Sequence, residues 1–411
     1  MKDKLSKLER DWILYDVGNS AFILLVTTII PIVFNNLAKG HLDDDTYLAY
    51  WGYAVTASTL IVGLMGPILG SLSDLPKQRK RMFTIALIIG VIGCTALPFA
   101  QHWLAYLLLF VVTKSAYNAS LIFYDSMLND VTTAERMDRV SSHGYAWGYI
   151  GSVVPFLIAI VLIFGGPEIG LSSQISIILA FLVNAIWWGI MSLPLLKSYQ
   201  QISSHKSTPK IGQVFKDLVL TFKEIKQNRQ IFLYLIAFFF FIDGVYTIIN
   251  LATAYGTSLG LDTMGLVLAL LVTQIVAFPF ALLFARFSKG FKTETLIKVC
   301  ILAYTGIAIY GVQLDQLHEF WILAVAVGMF QGAIQALSRS YYAKIIPSYK
   351  SGEYFGIFDI CGKGASFVGT LLVSVITQMT GNQQIAVFSL SFMFLLGYYF
   401  FHLTIKSKEI A

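Results

Sequence analysis

Twelve separate apolar runs, each long enough to cross a bilayer as a helix, constrain this chain more than any other feature. They cover residues 12–37, 48–72, 82–100, 103–127, 143–165, 174–196, 231–257, 264–287, 295–313, 319–343, 354–378 and 384–405. A helix rises about 1.5 Å per residue, so about 17–20 residues cross a hydrocarbon core of about 30 Å. Barrel strands would be about 10 residues long with strict alternation, which these runs lack. Only 13% of the residues are charged, about half the share found in soluble domains. With 56% hydrophobic residues, lipid must be the solvent. The expected fold class is an all-α membrane protein of twelve transmembrane helices. The first run is too long for a signal-peptide core and lacks a small-residue cleavage site, so it is read as the first span.

The net charge of +6 matters less than its placement. Of the 29 basic residues, all but Lys39, Lys114 and Lys363 fall at the N-terminus, in alternate gaps or in the tail. Lys39 shares its gap with Asp43, Asp44 and Asp45. This bias puts both termini in the cytoplasm and predicts a multi-pass protein of the plasma membrane. A basic, soluble face for nucleic acid is lacking. Cys94, Cys300 and Cys361 lie in apolar runs, with neither metal-ligand spacing nor a disulfide framework. There is no Gly-rich phosphate loop ending in Lys and Ser/Thr, and no nucleophile elbow. Direct use of ATP, an enzyme, a cofactor and a metal are therefore not expected.

The longest polar gap, 197–230, divides the chain into six-helix bundles at 1–196 and 231–411. Within it, Val214, Leu218, Phe222 and Ile225 have helical spacing and lysines flank them. That pattern fits a helix on the membrane surface, and equally a plain basic tether. The halves show internal matches. Ser120 and Tyr124 recur as Ser338 and Tyr342, and Gly70-Ser-Leu-Ser-Asp74 recurs weakly as Ala285-Arg-Phe-Ser-Lys289.

This parallel repeat of six spans resembles the major facilitator transporters. Gly70 to Asp74, followed by Arg79, resembles their signature between spans 2 and 3. The resemblance implies that Gly70 lets two helices approach and that Asp74 and Arg79 latch one conformation. An ordinary basic loop would carry the same charges. The pattern departs at Leu75, where a basic residue is expected, and at Pro76 and Lys77, which replace a tight glycine turn. In the second half, Lys289 stands where an acid would.

Small residues recur at close-packing spacing. Gly63, Gly66 and Gly70 share a side of span 2, Gly144, Gly148 and Gly151 do so in span 5, and Gly362 lies in span 11. They serve either static packing or sliding between the halves. Polar side chains inside the runs are the sharper signal, because an ionisable group in lipid costs about 2.5 kcal/mol or more. Asp243 and Lys114 are deep in spans 7 and 4. Asp16 and Asn19 lie in span 1, Tyr117 and Asn118 in span 4, Gln274 in span 8, and Gln331 and Gln335 in span 10. Asp359 and Lys363 are one turn apart in span 11, which suits an intrahelical pair. Spans 3, 9 and 12 have no charge in their middles, and span 6 has only Asn184 and two tryptophans. In the resembled fold those four spans face outward.

Several runs are closer to one branch. Trp12-Ile-Leu-Tyr-Asp16-Val-Gly-Asn19 and Phe123-Tyr124 with Asn129-Asp130 resemble the vacuolar amino-acid effluxer, or autophagy-related, family in its bacterial-type form. So do Arg139 to Gly151, Asp243-Gly-Val-Tyr-Thr-Ile-Ile249, Gln335 to Ser340, and Glu353 to Lys363. Asp125 stands where the family pattern suggests a neutral residue. The resemblance implies secondary active transport by alternating access, with efflux of a small polar or zwitterionic solute such as an amino acid. Asp243 and Asp16 are the candidate carriers of a coupling proton. Lys114, Asn19, Tyr117, Asn118, Gln274, Gln331, Gln335, Asp359 and Lys363 are the candidate cavity residues. The expected partners are the bilayer, a small-molecule substrate and a proton, with the chain acting as a monomer. A flippase for lipids or lipid-linked sugars on the same fold stays open, as does a sensor or assembly protein without turnover.

Overall fold

The structure is a computed structural model that describes residues 4–39, 41–42, 44–204 and 211–410. The side chains of 44–49, 211–217, 253–254, 257–258, 263–264, 267, 363–367 and 408–410 lie outside the described residues. Twelve long helices follow the apolar runs in order, here called spans 1–12. The first half comprises Lys7–Ala38, Asp44–Ser73, Gln78–Ala96, Trp103–Ser126, Met137–Ile160 and Ser173–Ser198. The second comprises Arg229–Ser258, Thr263–Phe287, Thr293–Tyr310, Leu317–Ile345, Ser351–Thr380 and Gln383–Ile410. Eleven are apolar enough to cross a membrane over their described residues, and in span 11 the described apolar stretch is Val368–Thr380. Most helices overrun their apolar runs by a few polar residues, because helical hydrogen bonding does not stop where the hydrocarbon does.

Local chemistry sets the ends and bends. Span 1 opens with a capping box: Glu9 N–H donates to Ser6 Oγ (3.1 Å) and Ser6 N–H donates to Glu9 Oε2 (2.7 Å). It breaks at Thr28, three residues before Pro31, whose ring removes a backbone donor from the next turn. The tight turn after span 2 places Lys77 at φ +65°. This is the left-handed conformation for which the missing glycine would be suited, and it costs a lysine about 1–2 kcal/mol.

The contact between the halves is made chiefly by span 2 against 11, 5 against 8 and 10, and 4 against 11, and span 9 reaches the first half at its first residue, Thr293. Ile85, Ile88 and Ile92 of span 3 and Phe388, Phe392 and Leu396 of span 12 are exposed, as a lipid-facing surface requires. Between the halves, helix Ile211–Gln227 docks on spans 2 and 7. Its Leu218 and Ile225 are buried but Phe222 is exposed, so the expected single apolar stripe divides in two; Val214 lies outside the described side chains.

Candidate functional site

Both the start of span 1 and the end of span 12 lie at one end of the bundle, here the terminal end. The described ion pairs between the halves lie toward that end. Its centre is Arg339, six residues from the end of span 10 and only 3% exposed. Arg339 Nη1 donates to Asp125 Oδ1 (2.9 Å) and Nη2 to Asp16 Oδ2 (3.2 Å). Its Nε donates to Ser141 Oγ (2.9 Å), and Ser141 Oγ passes its own proton to the Ala336 carbonyl (2.8 Å). The guanidinium also lies over Trp12 and Tyr145, 4.6 and 4.5 Å from the ring centroids. One cation of the second half thus plugs an acidic, aromatic socket of the first. A planar fork with five donors suits this socket, and a lysine would not.

Two further ties flank the plug. Asp74 accepts Gly352 N–H (2.8 Å) and Glu353 N–H (2.9 Å), the unpaired donors of the first turn of span 11. Arg79 holds Asp74 in place (2.5 Å) and reaches Asp130 (2.8 Å), which also accepts Tyr199 Oη (2.6 Å). An acid of one half therefore caps a helix of the other. On the other flank, Asp138 at the start of span 5 accepts Lys344 (2.6 Å), Ser340 (2.6 Å) and Thr293 (2.5 Å) of the second half.

Beyond these ties the halves still touch, at Gln335 and Tyr149 and at the rings of Trp147 and Phe278, whose centroids are 5.2 Å apart. On span 2, Gly70 and Gly66 sit against Gly352 and Gly356 of span 11. A methyl on Gly356 would stand 2.5 Å from the Gly66 carbonyl oxygen. Gly63 is two turns from Gly70 on the same face, yet nothing lies within 4 Å of its missing Cβ. Gly63 was expected to pack a helix, and the structure corrects this: among the described residues no atom lies close to the position its Cβ would take. Gly144, Gly148 and Gly151 pack span 5 on span 1, chiefly inside the first half. Gly362 makes only ordinary contact with Phe238.

The polar candidates divide into two groups. Lys114, Gln274, Gln335 and Asp359 are half-buried at middle depths of spans 4, 8, 10 and 11. Tyr145, Tyr149 and Tyr246 share that intermediate exposure. Gln335 crosses the halves to Tyr149 Oη (3.2 Å), and Gln331 pairs with Gln274 (3.4 Å). Asn19, Tyr117 and Asn118 are buried inside the first half instead. Tyr117 Oη donates to Asn19 (3.4 Å), whose amide donates to the Tyr15 carbonyl (2.9 Å). The side chain of Lys363 lies outside the described residues. Asp243 is fully buried between spans 7 and 11. Its Oδ1 accepts Gly369 N–H (2.9 Å) and Thr247 Oγ1 (3.3 Å), and Oδ2 has no hydrogen-bond partner among the described residues.

The family model for "Vacuole effluxer Atg22 like" proteins matches residues 6–410. The chain belongs to the Atg22-like family. It is 39% identical to the MFS-type transporter YxiO of Bacillus subtilis, over 97% of this chain and 94% of that protein. Autophagy-related protein 22 of Vanderwaltozyma polyspora is 27% identical, over 88% of this chain and 78% of the fungal protein. Among solved structures, the outward conformation of the major facilitator superfamily transporter FucP matches with a TM-score of 0.73. It is 13% identical, over 97% of each chain. A bacterial homologue of the iron transporter ferroportin, in an outward-facing state, matches with a TM-score of 0.72 and 13% identity, over 97% of this chain and 98% of that one. The fold is therefore the twelve-helix major facilitator fold, and this Atg22-like protein is a membrane-embedded transporter.

For the Atg22-like chain, sequence reasoning missed the plug. Arg339 was counted with the basic residues of the loops, but it is a buried ion-pair member. Arg339 lies inside run 319–343 and Asp125 inside run 103–127, so a charge within an apolar run was the available signal. Asp138 and Ser141 precede run 143–165 and gave none.

Proposed function

We propose that this protein is a secondary active transporter that exports a small zwitterionic solute, an amino acid being the first choice, by alternating access. The observation that carries this reading is the half-buried set at middle depth. Among the described residues it holds Lys114, Asp359, three tyrosines and two glutamines, directly beyond the Arg339 plug. A carboxylate and an ammonium on one substrate need opposite charges facing them, and the tyrosines and glutamines donate or accept as required. The basic bias places the terminal end in the cytoplasm of a bacterial-type cell, so the plugged conformation is closed inward. Efflux is suggested by the name of the family model.

Asp243 is the preferred carrier of a coupling proton. It is buried without a charged partner among the described residues, whereas Asp16 is committed to Arg339. The test is uptake by purified protein in proteoliposomes, with an imposed pH gradient and a panel of labelled amino acids. Gradient-driven flux that Asp243→Asn abolishes, with exchange of pre-loaded substrate kept, supports the reading. Gradient-driven flux unchanged in Asp243→Asn removes Asp243 as the carrier, and no flux of any amino acid removes the substrate class.

A further inference from the structure

A cavity of about 360 Å³ lies within the second half, bounded by residues of spans 7, 9, 10, 11 and 12. It is separate from the contact between the halves, because all of its lining residues belong to the second half. One wall carries a polar strip: Gln383 at the start of span 12, then Gln378, Thr377 and Ser374 of span 11, then Thr247 of span 7. The start of span 12 is at the end of the bundle away from the termini, so the strip runs inward from the far face. Ser374 and Gln378 are exposed and Thr247 is fully buried, as in a funnel that narrows with depth.

The floor of this funnel meets Asp243 from both sides. Thr247 is one turn along span 7 from Asp243, and Val373 is one turn along span 11 from Gly369, whose N–H Asp243 accepts. The cavity therefore ends about 6 Å along the helices from the carboxylate. Thr247 Oγ1 bridges the gap by donating to Asp243 Oδ1 (3.3 Å), and Oδ2 has no partner among the described residues. No ion pair reaches Asp243 among the described residues. Span 11 presents the Gly369 backbone, span 12 presents Phe394 at the adjoining Gly244, and span 7 itself presents Thr247. Most of the lining is apolar, so water finds hydrogen-bond partners only along the polar strip.

We infer that this cavity is a water path by which Asp243 exchanges a proton with the far face, separate from the central path taken by the solute. The inference rests on the reading that Asp243 takes up a proton. A private route lets the proton enter while the solute occupies the centre, so the two need not compete for one channel.

The test is infrared spectroscopy of the reconstituted protein, following the carboxylic C=O band that Asp243→Asn removes. Its hydrogen–deuterium exchange is timed in the wild type and in the cavity-filling variants Ser374→Trp and Leu251→Trp. Gln335→Ala serves as the central-path control. At least tenfold slower exchange in either filled variant, with the control at the wild-type rate, is the expected result. Wild-type exchange in both folded filled variants overturns the route, and so does slowing in the control alone. Absence of the band at every pH from 4 to about 9 defeats the proton-carrier reading itself, and the route with it.

Discussion

Arg339 is the residue on which the plugged conformation most depends. Two carboxylates face it in a site almost without solvent, and removing one partner of a buried pair leaves an uncompensated charge. Arg339→Ala should therefore cost the plugged conformation about 3–5 kcal/mol. A cysteine at Ala343, 1% exposed, should become reactive to a water-soluble maleimide from the terminal side. Arg339→Lys should restore little, because it offers neither the fork nor the ring contacts. Asp74→Ala removes the acceptor for two N–H groups of span 11, a loss of about 1–2 kcal/mol by analogy with helix caps. It should raise the same reactivity more weakly, with Asp74→Asn between the two. Asp74, Arg79 and Asp243 could be found from sequence because a loop signature or an isolated charge marked them. Arg339 could not be weighed correctly, because a basic residue near a helix end has the same composition as a topological anchor. Only its partners, 214 and 323 residues away, distinguish the two.

At the scale of helices, the sequence was easiest to read. Apolar runs marked all twelve spans to within a few residues, because hydrocarbon permits no unpaired backbone. What runs could not reveal was which face meets which neighbour. Gly63, Gly66 and Gly70 look alike in sequence, yet only the latter two touch span 11. Gly356→Ala would set a methyl 2.5 Å from the Gly66 carbonyl, so spans 2 and 11 must move apart. The expected outcome is a lower melting temperature for the plugged form and a shift toward the conformation open at the terminal end. Gly63→Ala should change neither, since open space surrounds it. Equal effects from the two substitutions would mean that Gly356 is not held against Gly66 as the structure has it.

For the whole molecule, the account requires one contact surface to open as another closes. The described ties between the halves are polar, gathered toward the terminal end, and reversible: charge pairs, a helix cap and serine hydroxyls. Such ties hold a conformation without the cost of separating a large apolar interface, which suits halves that must part in every cycle. The long polar gap and the repeated motifs are what lead the sequence reading to two halves. The direction in which they are now closed was not legible there, because both conformations share one sequence and differ only in which buried charges are paired.

Pulsed electron–electron distance measurement between spin labels tests the central claim most directly. One pair would stand at Arg81 and Lys289 of the terminal end, the other at His102 and His318 of the far end, all exposed positions. In proteoliposomes with transported solute added, the terminal distance should lengthen while the far distance shortens, and Arg339→Ala should give the same pair of changes without solute. Distances that stay fixed at both ends, or that lengthen together, would contradict reciprocal opening of the two halves.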